Sequence, residues 1–378
     1  MSTESMTSNE RVWTAIRLGK PDRVPVIPGL QSPAAAGLTG LSQAEVAHDN
    51  NAAVDAFFRI FEDTGGWDNP FPTGATPMQL QATGDHPMKL RLPGRDLPDD
   101  QPFQLDEQEF LKPEDYDTIY EGGFEKFYYD DFLWRIGDLT PDQLPGMIKN
   151  LKASGERFTA TCARQGVQPF FTAARSHPFF MLSMMRSMVP FTADLYYNPE
   201  PVERAIKRMT ADVISKQIPL IKASGTNLWL VTEERASAYF VSPAIFERFW
   251  WPYTRQIVEA CWSEGIVTLF HIDMFWDKNL PYFRQLPKGS AILEFDSTTN
   301  IFKAKEALRG HLCLHGDVPA ALLSLGKPEE VAAYCKRLID EVGGDGGFIL
   351  GSGCSVPPDA KRENFHAMIE TAKSYKRS

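Results

Sequence analysis

The chain has 378 residues, of which 43% are hydrophobic, so it is long enough for one large domain or two ordinary ones. Its 39 basic and 49 acidic residues give a formal net charge of −10. This balance, together with the lack of a Lys/Arg-rich run, argues against nucleic acid as a partner. The five cysteines are scattered and odd in number, which suits reduced thiols and metal ligands better than a disulfide framework.

The amino-terminal stretch MSTESMTSNER is polar and lacks the apolar segment of a secretory signal. No segment approaches the roughly 18 continuous apolar residues that a membrane span needs. We therefore expect a cytoplasmic protein that does not interact with membranes. Residues 1–8 are expected to be disordered, and residues 9–378 are expected to form a single domain.

The first half of the sequence is predicted to contain irregularly spaced elements. In chain order these are a helix over 9–18, an apolar strand over 24–27, a helix that is capped by Ser42 and ends near 61, a hairpin-bearing insertion over about 63–110, and a helix from 140 to about 165.

The second half alternates between short apolar runs and amphipathic helical segments. The predicted strands are 169–173, 228–231, 266–270, 292–295, 312–315 and 348–350. Six or seven strand–helix units, counted from the strand near residue 24, indicate a parallel sheet with helices around it. A closed (β/α)8 TIM barrel fits the length better than an open α/β sheet.

In such a barrel the active site is built from the loops that follow the strands. Polar residues at these exits include Glu234 after the second of the listed strands, His271 and Asp273 after the third, Asp317 after the fifth, and Cys354 after the last. Imidazole, carboxylate and thiolate are the usual ligands of zinc. His271, Asp273 and Cys354, with Cys313 as a further candidate, therefore form a predicted zinc site.

Several cysteines and carboxylates have simpler interpretations. Cys335 and Cys261 lie on apolar helix faces and are assigned to the core. Cys313 is open to either interpretation, as a core thiol or as a ligand. Glu233 and Glu234 are adjacent and point different ways, so one of them is expected to be solvated or paired with Arg235.

Three segments resemble the uroporphyrinogen decarboxylase superfamily. They are GSGCSVPPDAKREN (351–364), LHGDVPAALL (314–323) and FKAKE (302–306). Within that superfamily the chain resembles the cobalamin-linked methyltransferase branch, clearly over about 220–375 and only in topology before that. The resemblance implies one (β/α)8 barrel with a catalytic zinc held by a His-x-Cys pair and by a distant cysteine in a Gly-Cys turn.

The chain departs from that pattern at one ligand. The Gly-Cys turn is present as Gly353-Cys354, but the pair is His271-x-Asp273, so a carboxylate stands in the place of a thiolate. Cys313 is the alternative source of the missing sulfur. A carboxylate makes the zinc ion harder and favours an oxygen ligand over a thiol.

The resemblance and this departure together imply transfer of a methyl group from an O-methyl, methoxyaromatic substrate to a corrinoid (cobalamin) carried by a partner protein. His271, Asp273 and Glu234 are assigned to catalysis, and Glu234 is a candidate for the open zinc position. The residues assigned to substrate binding are Tyr239, Phe240, Phe275, Trp276 and Asp317. The oligomeric state is left open, with a homodimer as the assembly considered.

Three other functions remain open at this point. The first is the opposite methyl transfer, from a methylcorrinoid to a thiol or a folate. The second is a metal-free lyase such as a decarboxylase, and the third is a non-catalytic barrel that binds a corrinoid or a partner protein. A decarboxylase of porphyrinogens needs arginines for the substrate carboxylates, and the segment PGLQSPAAA (28–36) after the first predicted strand has none.

Overall fold

The computed structural model describes residues 5–375 and contains a parallel sheet surrounded by helices. The hydrogen-bonded order of the parallel sheet follows the chain. An antiparallel hairpin, β1 and β2, precedes it. The strands are β1 Lys89–Arg91, β2 Gln104–Asp106, β3 Ala173–Ser176, β4 Leu228–Thr232, β5 Val267–Ile272, β6 Ala291–Phe295, β7 Cys313–Val318 and β8 Phe348–Ser352.

The helices lie between and around these strands. Up to β3 they are α1 Ser8–Ile16, α2 Ser32–Thr39, α3 Gln43–His48, α4 Asn50–Asp63, α5 Pro77–Thr83, α6 Asp115–Gly122, α7 Phe124–Phe127, α8 Leu133–Ile136 and α9 Leu144–Arg164. After β3 they are α10 Pro178–Arg186, α11 Met188–Tyr197, α12 Pro199–Ser224, α13 Pro243–Phe249, α14 Trp251–Ser263, α15 Leu280–Phe283, α16 Ile301–Leu308, α17 Ala320–Leu325, α18 Pro328–Arg337 and α19 Arg362–Ser374. Single π-helical turns span Tyr128–Phe132 and Leu338–Val342.

Two extended segments close the sheet into a barrel without forming regular strands. Val26 and Gly29 make single parallel bridges to Leu350 and Ser355, beside β8. The amide of Asp68 donates to the carbonyl oxygen of Val26, and the amide of Phe170 donates to that of Pro70. The segments 24–29 and 68–72 therefore occupy the first two strand positions of an eight-stranded barrel.

Prolines explain why these two positions lack regular ladders. Pro25 lies within the predicted strand 24–27 and Pro28 follows it directly, and Pro70 and Pro72 lie in the second segment. Each proline removes a backbone donor that a ladder would use. The sequence assigned 68–72 to the insertion, whereas the structure uses these residues to complete the barrel before the hairpin begins.

Local sequence signals account for most other elements. The predicted helix after Ser42 is divided at Asp49, whose side chain accepts hydrogen bonds from the amides of Asn51 and Ala52 and so caps α4. The pairing of β1 with β2 confirms the hairpin expected within the insertion. No helix within residues 5–375 combines the length and the apolar character that crossing a membrane requires.

The barrel interior consists of side chains that alternate along each strand. Its lower part is apolar and contains Ile27, Phe71, Phe170, Leu228, Leu269, Ile292, Cys313 and Ile349. One step nearer the carboxyl ends of the strands, His271, Glu294 and His315 occupy paired positions on β5, β6 and β7. The change from apolar to polar side chains marks the end of the barrel where a site can form.

The amino-terminal segment is attached to the barrel by a buried charge cluster. The guanidinium of Arg11 contacts the carboxylates of Asp22 and Asp68, at 2.7 and 2.8 Å. The amides of Ser5 and Met6 donate to Asp22. Residues 5–8 of the segment predicted to be disordered therefore have defined contacts, whereas residues 1–4 lie outside the described residues.

Removing the Asp22 carboxylate should make the free energy of unfolding less dependent on pH. Burial by itself raises the pKa of Asp22, but the hydrogen bonds from Arg11 and from the two amides outweigh it and lower the pKa to about 2. A depressed pKa stabilises the fold fully above the ordinary value of 3.8 and less as the pH falls towards 2. We expect Asp22→Asn to lower the free energy of unfolding by about 2 kcal/mol at pH 7.

Urea unfolding of wild type and Asp22→Asn at pH 7 and pH 3 measures this effect, with the exposed Asp100→Asn as the control. The difference between wild type and Asp22→Asn should shrink at pH 3. A difference of the same size at both pH values would contradict the assignment.

Candidate metal centre

Three side chains predicted to bind zinc converge at the carboxyl end of the barrel. His271 lies near the end of β5, Asp273 follows that strand, and Cys354 lies in the turn after β8. One ligand atom from each residue lies within 4.8 Å of the other two. The prediction that these distant parts of the sequence share a site is therefore consistent with the fold.

The separations within this group are close to those expected around a single zinc ion when the nearer carboxylate oxygen of Asp273 is taken for each partner. Cys354 Sγ lies 3.5 Å from His271 Nε2 and 3.2 Å from Asp273 Oδ2, and His271 Nε2 lies 3.4 Å from Asp273 Oδ1. Ligand atoms held tetrahedrally at about 2.0–2.3 Å from one zinc ion would lie roughly 3.3–3.6 Å apart. Asp273 Oδ1 is buried and has no hydrogen-bond partner among the described residues. These residues therefore fit a zinc ion with three protein ligands.

The Cys354 turn is fixed by contacts on both sides. Cys354 has a φ of +64°, a conformation that is uncommon for a residue with a side chain. Ser352 Oγ donates to the Cys354 carbonyl at 2.7 Å and accepts from the Gly29 amide at 3.0 Å. A Cβ atom on Gly29 would lie 2.8 Å from that carbonyl oxygen, so the close approach requires glycine. The thiol is thus positioned by the segment 24–29 as well as by β8.

The orientation of His271 is set by a buried carboxylate below it. Glu294 Oε2 lies 3.3 Å from His271 Nδ1, and Glu294 Oε1 lies 3.8 Å from His315 Nδ1. His315 Nε2 contacts the Ile27 carbonyl oxygen at 2.8 Å. A carboxylate on the far nitrogen of a ligating histidine fixes the ring and its tautomer, which leaves Nε2 free for a metal.

Nearby charges and burial shift the pKa values of His271 and Cys354 in opposite directions. Burial lowers the pKa of His271, but the carboxylates of Glu294 and Asp273 outweigh it and hold that pKa well above the ordinary value. Burial raises the pKa of the Cys354 thiol, and the nearby His271 partly offsets this increase. The site therefore favours a cation among its carboxylates.

Glu234 and Asp317 are not part of this group. Glu234 is half-buried after β4, and both burial and the negative charge of Asp273 raise its pKa. Asp317 is buried on β7, where Tyr334 donates a hydrogen bond to it at 2.9 Å. Burial raises the pKa of Asp317 to about 7.

The structure places Cys313 apart from the three converging side chains and favours the first of its two interpretations, a core thiol. Its side chain is fully buried in the apolar part of the barrel, and its Sγ faces the Leu314 carbonyl oxygen at 3.7 Å. Cys313 pairs with Ile292 in the layer below Glu294 and His315. Burial raises the pKa of this thiol to about 12. Cys313 is therefore a core thiol.

The four aromatic residues assigned to substrate binding do not all lie where a substrate could contact them. Trp276 is fully buried against Trp250 and Phe283, and its indole nitrogen donates to the Asp273 carbonyl at 2.6 Å. Trp276 therefore packs in the core behind the loop that carries Asp273 and is not exposed to a substrate. Tyr239 is 65% exposed and packs edge-to-face on the half-buried Phe240. Phe275 is half-buried in the loop after β5.

Sequence reasoning missed Glu294 and the role of His315. Both side chains are buried, Glu294 at the position paired with His271 and His315 at the position paired with Glu294. The sequence did contain a signal, because Glu294 is a charged residue within the otherwise apolar predicted strand 292–295. Only the register between strands shows that this side chain meets the ring of His271.

A cavity of about 180 Å³ opens on the other half of the same barrel end. Most of its lining is apolar and includes Phe103, Phe171, Ala174 and Leu230. Leu230 precedes by two residues Thr232, which pairs with His271. The lining residue Gln31 lies two residues beyond Gly29, whose bridge partner Ser355 follows Cys354. The cavity is thus bordered by β4, which lies next to β5, and by the chain that follows the segment 24–29, which lies next to β8.

The family follows from a comparison with known proteins. Residues 160–375 match the family described as uroporphyrinogen decarboxylase (URO-D). This match covers more than half of the chain, including β3–β8 and all three candidate ligands. The chain belongs to this family, which confirms the resemblance seen in the sequence and agrees with the (β/α)8 barrel.

Individual relatives carry two different names. The chain is 25% identical over 153 residues to the "Methylcobamide:CoM methyltransferase MtbA" of Methanosarcina acetivorans, which covers 40% of this chain and 43% of that protein. It is 25% identical over 228 residues to the "Uroporphyrinogen decarboxylase" of Syntrophotalea carbinolica, covering 60% of each. The alignments thus span about half of the curated relatives' own length.

A solved structure extends the likeness in fold to nearly the whole chain. The structure called "methyltransferase from Methanosarcina mazei" aligns with a TM-score of 0.72 at 16% identity, covering 97% of this chain and 98% of that one. This comparison confirms that the fold is shared over nearly the whole chain.

Proposed function

We propose that the protein is a zinc-dependent methyltransferase that moves the methyl group of a methoxyaromatic substrate to a corrinoid carried by a partner protein. The observation that carries this proposal is the convergence of His271, Asp273 and Cys354 within 4.8 Å. The name of the Methanosarcina acetivorans relative, with its reference to methylcobamide, supports a corrinoid as the methyl acceptor or donor.

In this proposal the three residues hold zinc and leave its fourth position open to the substrate. Zinc bound there would supply Lewis acidity at the ether oxygen. Asp273 presents a hard oxygen ligand where the related methyltransferase pattern has a thiolate, which favours an ether or phenol oxygen over a thiol. Glu294 holds the ring of His271, and the Ser352 hydrogen bond holds the Cys354 turn.

Glu234 is assigned to holding a proton beside the leaving oxygen. Burial and the negative charge of Asp273 raise the pKa of Glu234, which favours the protonated carboxyl group that can donate to a phenolate. Asp317, which is hydrogen-bonded to Tyr334, is assigned to the border of the substrate site. We keep Tyr239, Phe240 and Phe275 as proposed substrate contacts near the entrance.

A second candidate is transfer in the opposite direction, from a methylcorrinoid to a thiol. The name of the Methanosarcina acetivorans relative favours it, whereas the carboxylate ligand Asp273 disfavours it. A porphyrinogen decarboxylase has weaker support, because the residues that line the cavity include no Lys or Arg to bind substrate carboxylates.

Incubating the zinc-loaded protein with a Co(I) corrinoid protein and methoxyarenes should produce methyl-Co(III), which is followed by its absorbance. Incubation of methylcorrinoid with thiols provides the comparison. Methyl transfer to thiols without any transfer from methoxyarenes would reject the leading proposal in favour of the second. Less than about half an equivalent of zinc in carefully purified protein would reject both.

A further inference from the structure

Among the residues that the structure describes, none of those lining the cavity at the carboxyl end of the barrel carries a charge. Its polar lining residues are Gln31, Ser32, Gln43, Thr73 and His86. Two hydrogen bonds already involve most of these groups. Gln43 Nε2 donates to the Pro33 carbonyl at 2.9 Å, and the hydroxyls of Ser32 and Thr73 are 3.0 Å apart. A bound molecule would therefore meet an apolar surface with few free polar groups.

His86 differs from the other polar residues of the lining. Its Nδ1 is buried and has no hydrogen-bond partner among the described residues. Burial lowers the pKa of His86 to about 4, so the ring is neutral at neutral pH. A neutral imidazole offers one donor and one acceptor but no positive charge. It suits a hydroxyl group better than a carboxylate.

The size and walls of the cavity suit one aromatic ring. A cavity of about 150 Å³ lined by apolar side chains is large enough for benzene, and this one measures about 180 Å³. His86 and Phe103 come from the insertion, and their rings lie 6.2 Å apart at 33°. Ala174 is exposed although it lies in the central sheet, because it borders the cavity.

We propose that this cavity binds the ring of a neutral methoxyphenol, with His86 as the hydrogen-bond partner of the ring hydroxyl, and that it discriminates against methoxybenzoates. The inference rests on the proposed function and specifies its substrate class. His86 is a specificity residue here, because it contacts the ring substituent and not the methyl group that is transferred. A carboxylate in the cavity would lose its hydration without meeting a cation, which is unfavourable.

The proposal is tested by calorimetric titration of the zinc-loaded protein, without corrinoid, with 2-methoxyphenol, methoxybenzene and 2-methoxybenzoate. We expect 2-methoxyphenol to bind at least about ten-fold more tightly than 2-methoxybenzoate. His86→Phe keeps a ring but removes both nitrogens. The substitution should weaken the binding of 2-methoxyphenol by roughly 3- to 10-fold and leave the affinity for methoxybenzene unchanged. His366→Phe, on α19, is the matched control.

Ala174→Leu provides a second variant, which should weaken the binding of all three compounds by filling the cavity. Equal binding of 2-methoxybenzoate and 2-methoxyphenol would overturn the inference. Unchanged affinities in Ala174→Leu would overturn it as well.

Turnover separates this inference from the proposed function. If the compounds bind as expected but no methoxyarene yields methyl-Co(III), the function fails and the cavity assignment stands. If 2-methoxybenzoate is the preferred methyl donor, the function stands and the cavity assignment fails.

Discussion

Replacing Cys354 by serine should remove zinc from the protein and reduce methyl transfer by more than about 100-fold. The thiolate is the one sulfur ligand of the group, and a serine hydroxyl at the same position binds zinc poorly at neutral pH. Loss of a direct ligand should exceed the 10- to 100-fold loss that is typical for residues behind the ligands. Metal analysis after dialysis, together with the methyl-Co(III) assay, measures both effects.

Cys313→Ser is the matched control for this variant. Its thiol is buried in the apolar layer below the site, so the substitution should leave the zinc content at the wild-type level. It should instead lower the thermal stability, because a hydroxyl replaces a buried thiol in apolar surroundings. Zinc loss in Cys313→Ser and zinc retention in Cys354→Ser would reverse the assignment of the sulfur ligand.

Replacing Glu294 by leucine should weaken zinc binding by about 10- to 100-fold although Glu294 does not belong to the ligand group. The carboxylate holds the ring of His271 through Nδ1 at 3.3 Å and also faces His315. Without it the histidine can rotate or take the other tautomer, and its Nε2 becomes a weaker ligand. Glu294→Gln keeps one acceptor oxygen and should lose less affinity than the leucine variant.

Competition with a zinc chelator gives the affinities, and Glu306→Gln, an exposed change on α16, is the control. Thermal unfolding of the zinc-free variants shows whether the barrel is intact, since bound zinc would otherwise stabilise the folded state. Wild-type zinc affinity in a folded Glu294→Leu protein would show that the carboxylate does not support the metal centre.

The sequence alone determined the class of fold and the end of the barrel at which the candidate site lies. Alternating apolar runs and amphipathic helices specified the parallel strands, because each apolar run must be covered on its outer face by a helix. The positions of His271, Asp273 and Cys354 directly after strands then placed them at one end of the barrel. This inference needed no distance, because the carboxyl ends of all strands in such a barrel meet at the same face.

The tertiary structure decided what depends on register, depth and closure. Cys313 and His315 lie two residues apart on the same face of β7. Cys313 nevertheless lies in the apolar layer, whereas His315 lies beside Glu294. Trp276 lies only three residues beyond Asp273 but turns into the core. The second barrel segment, 68–72, was not recognised as part of the barrel, because its contacts come from single hydrogen bonds to distant segments. Periodicity along a strand gives the direction of each side chain, but only the packed barrel fixes which layers meet and which remain open to a substrate.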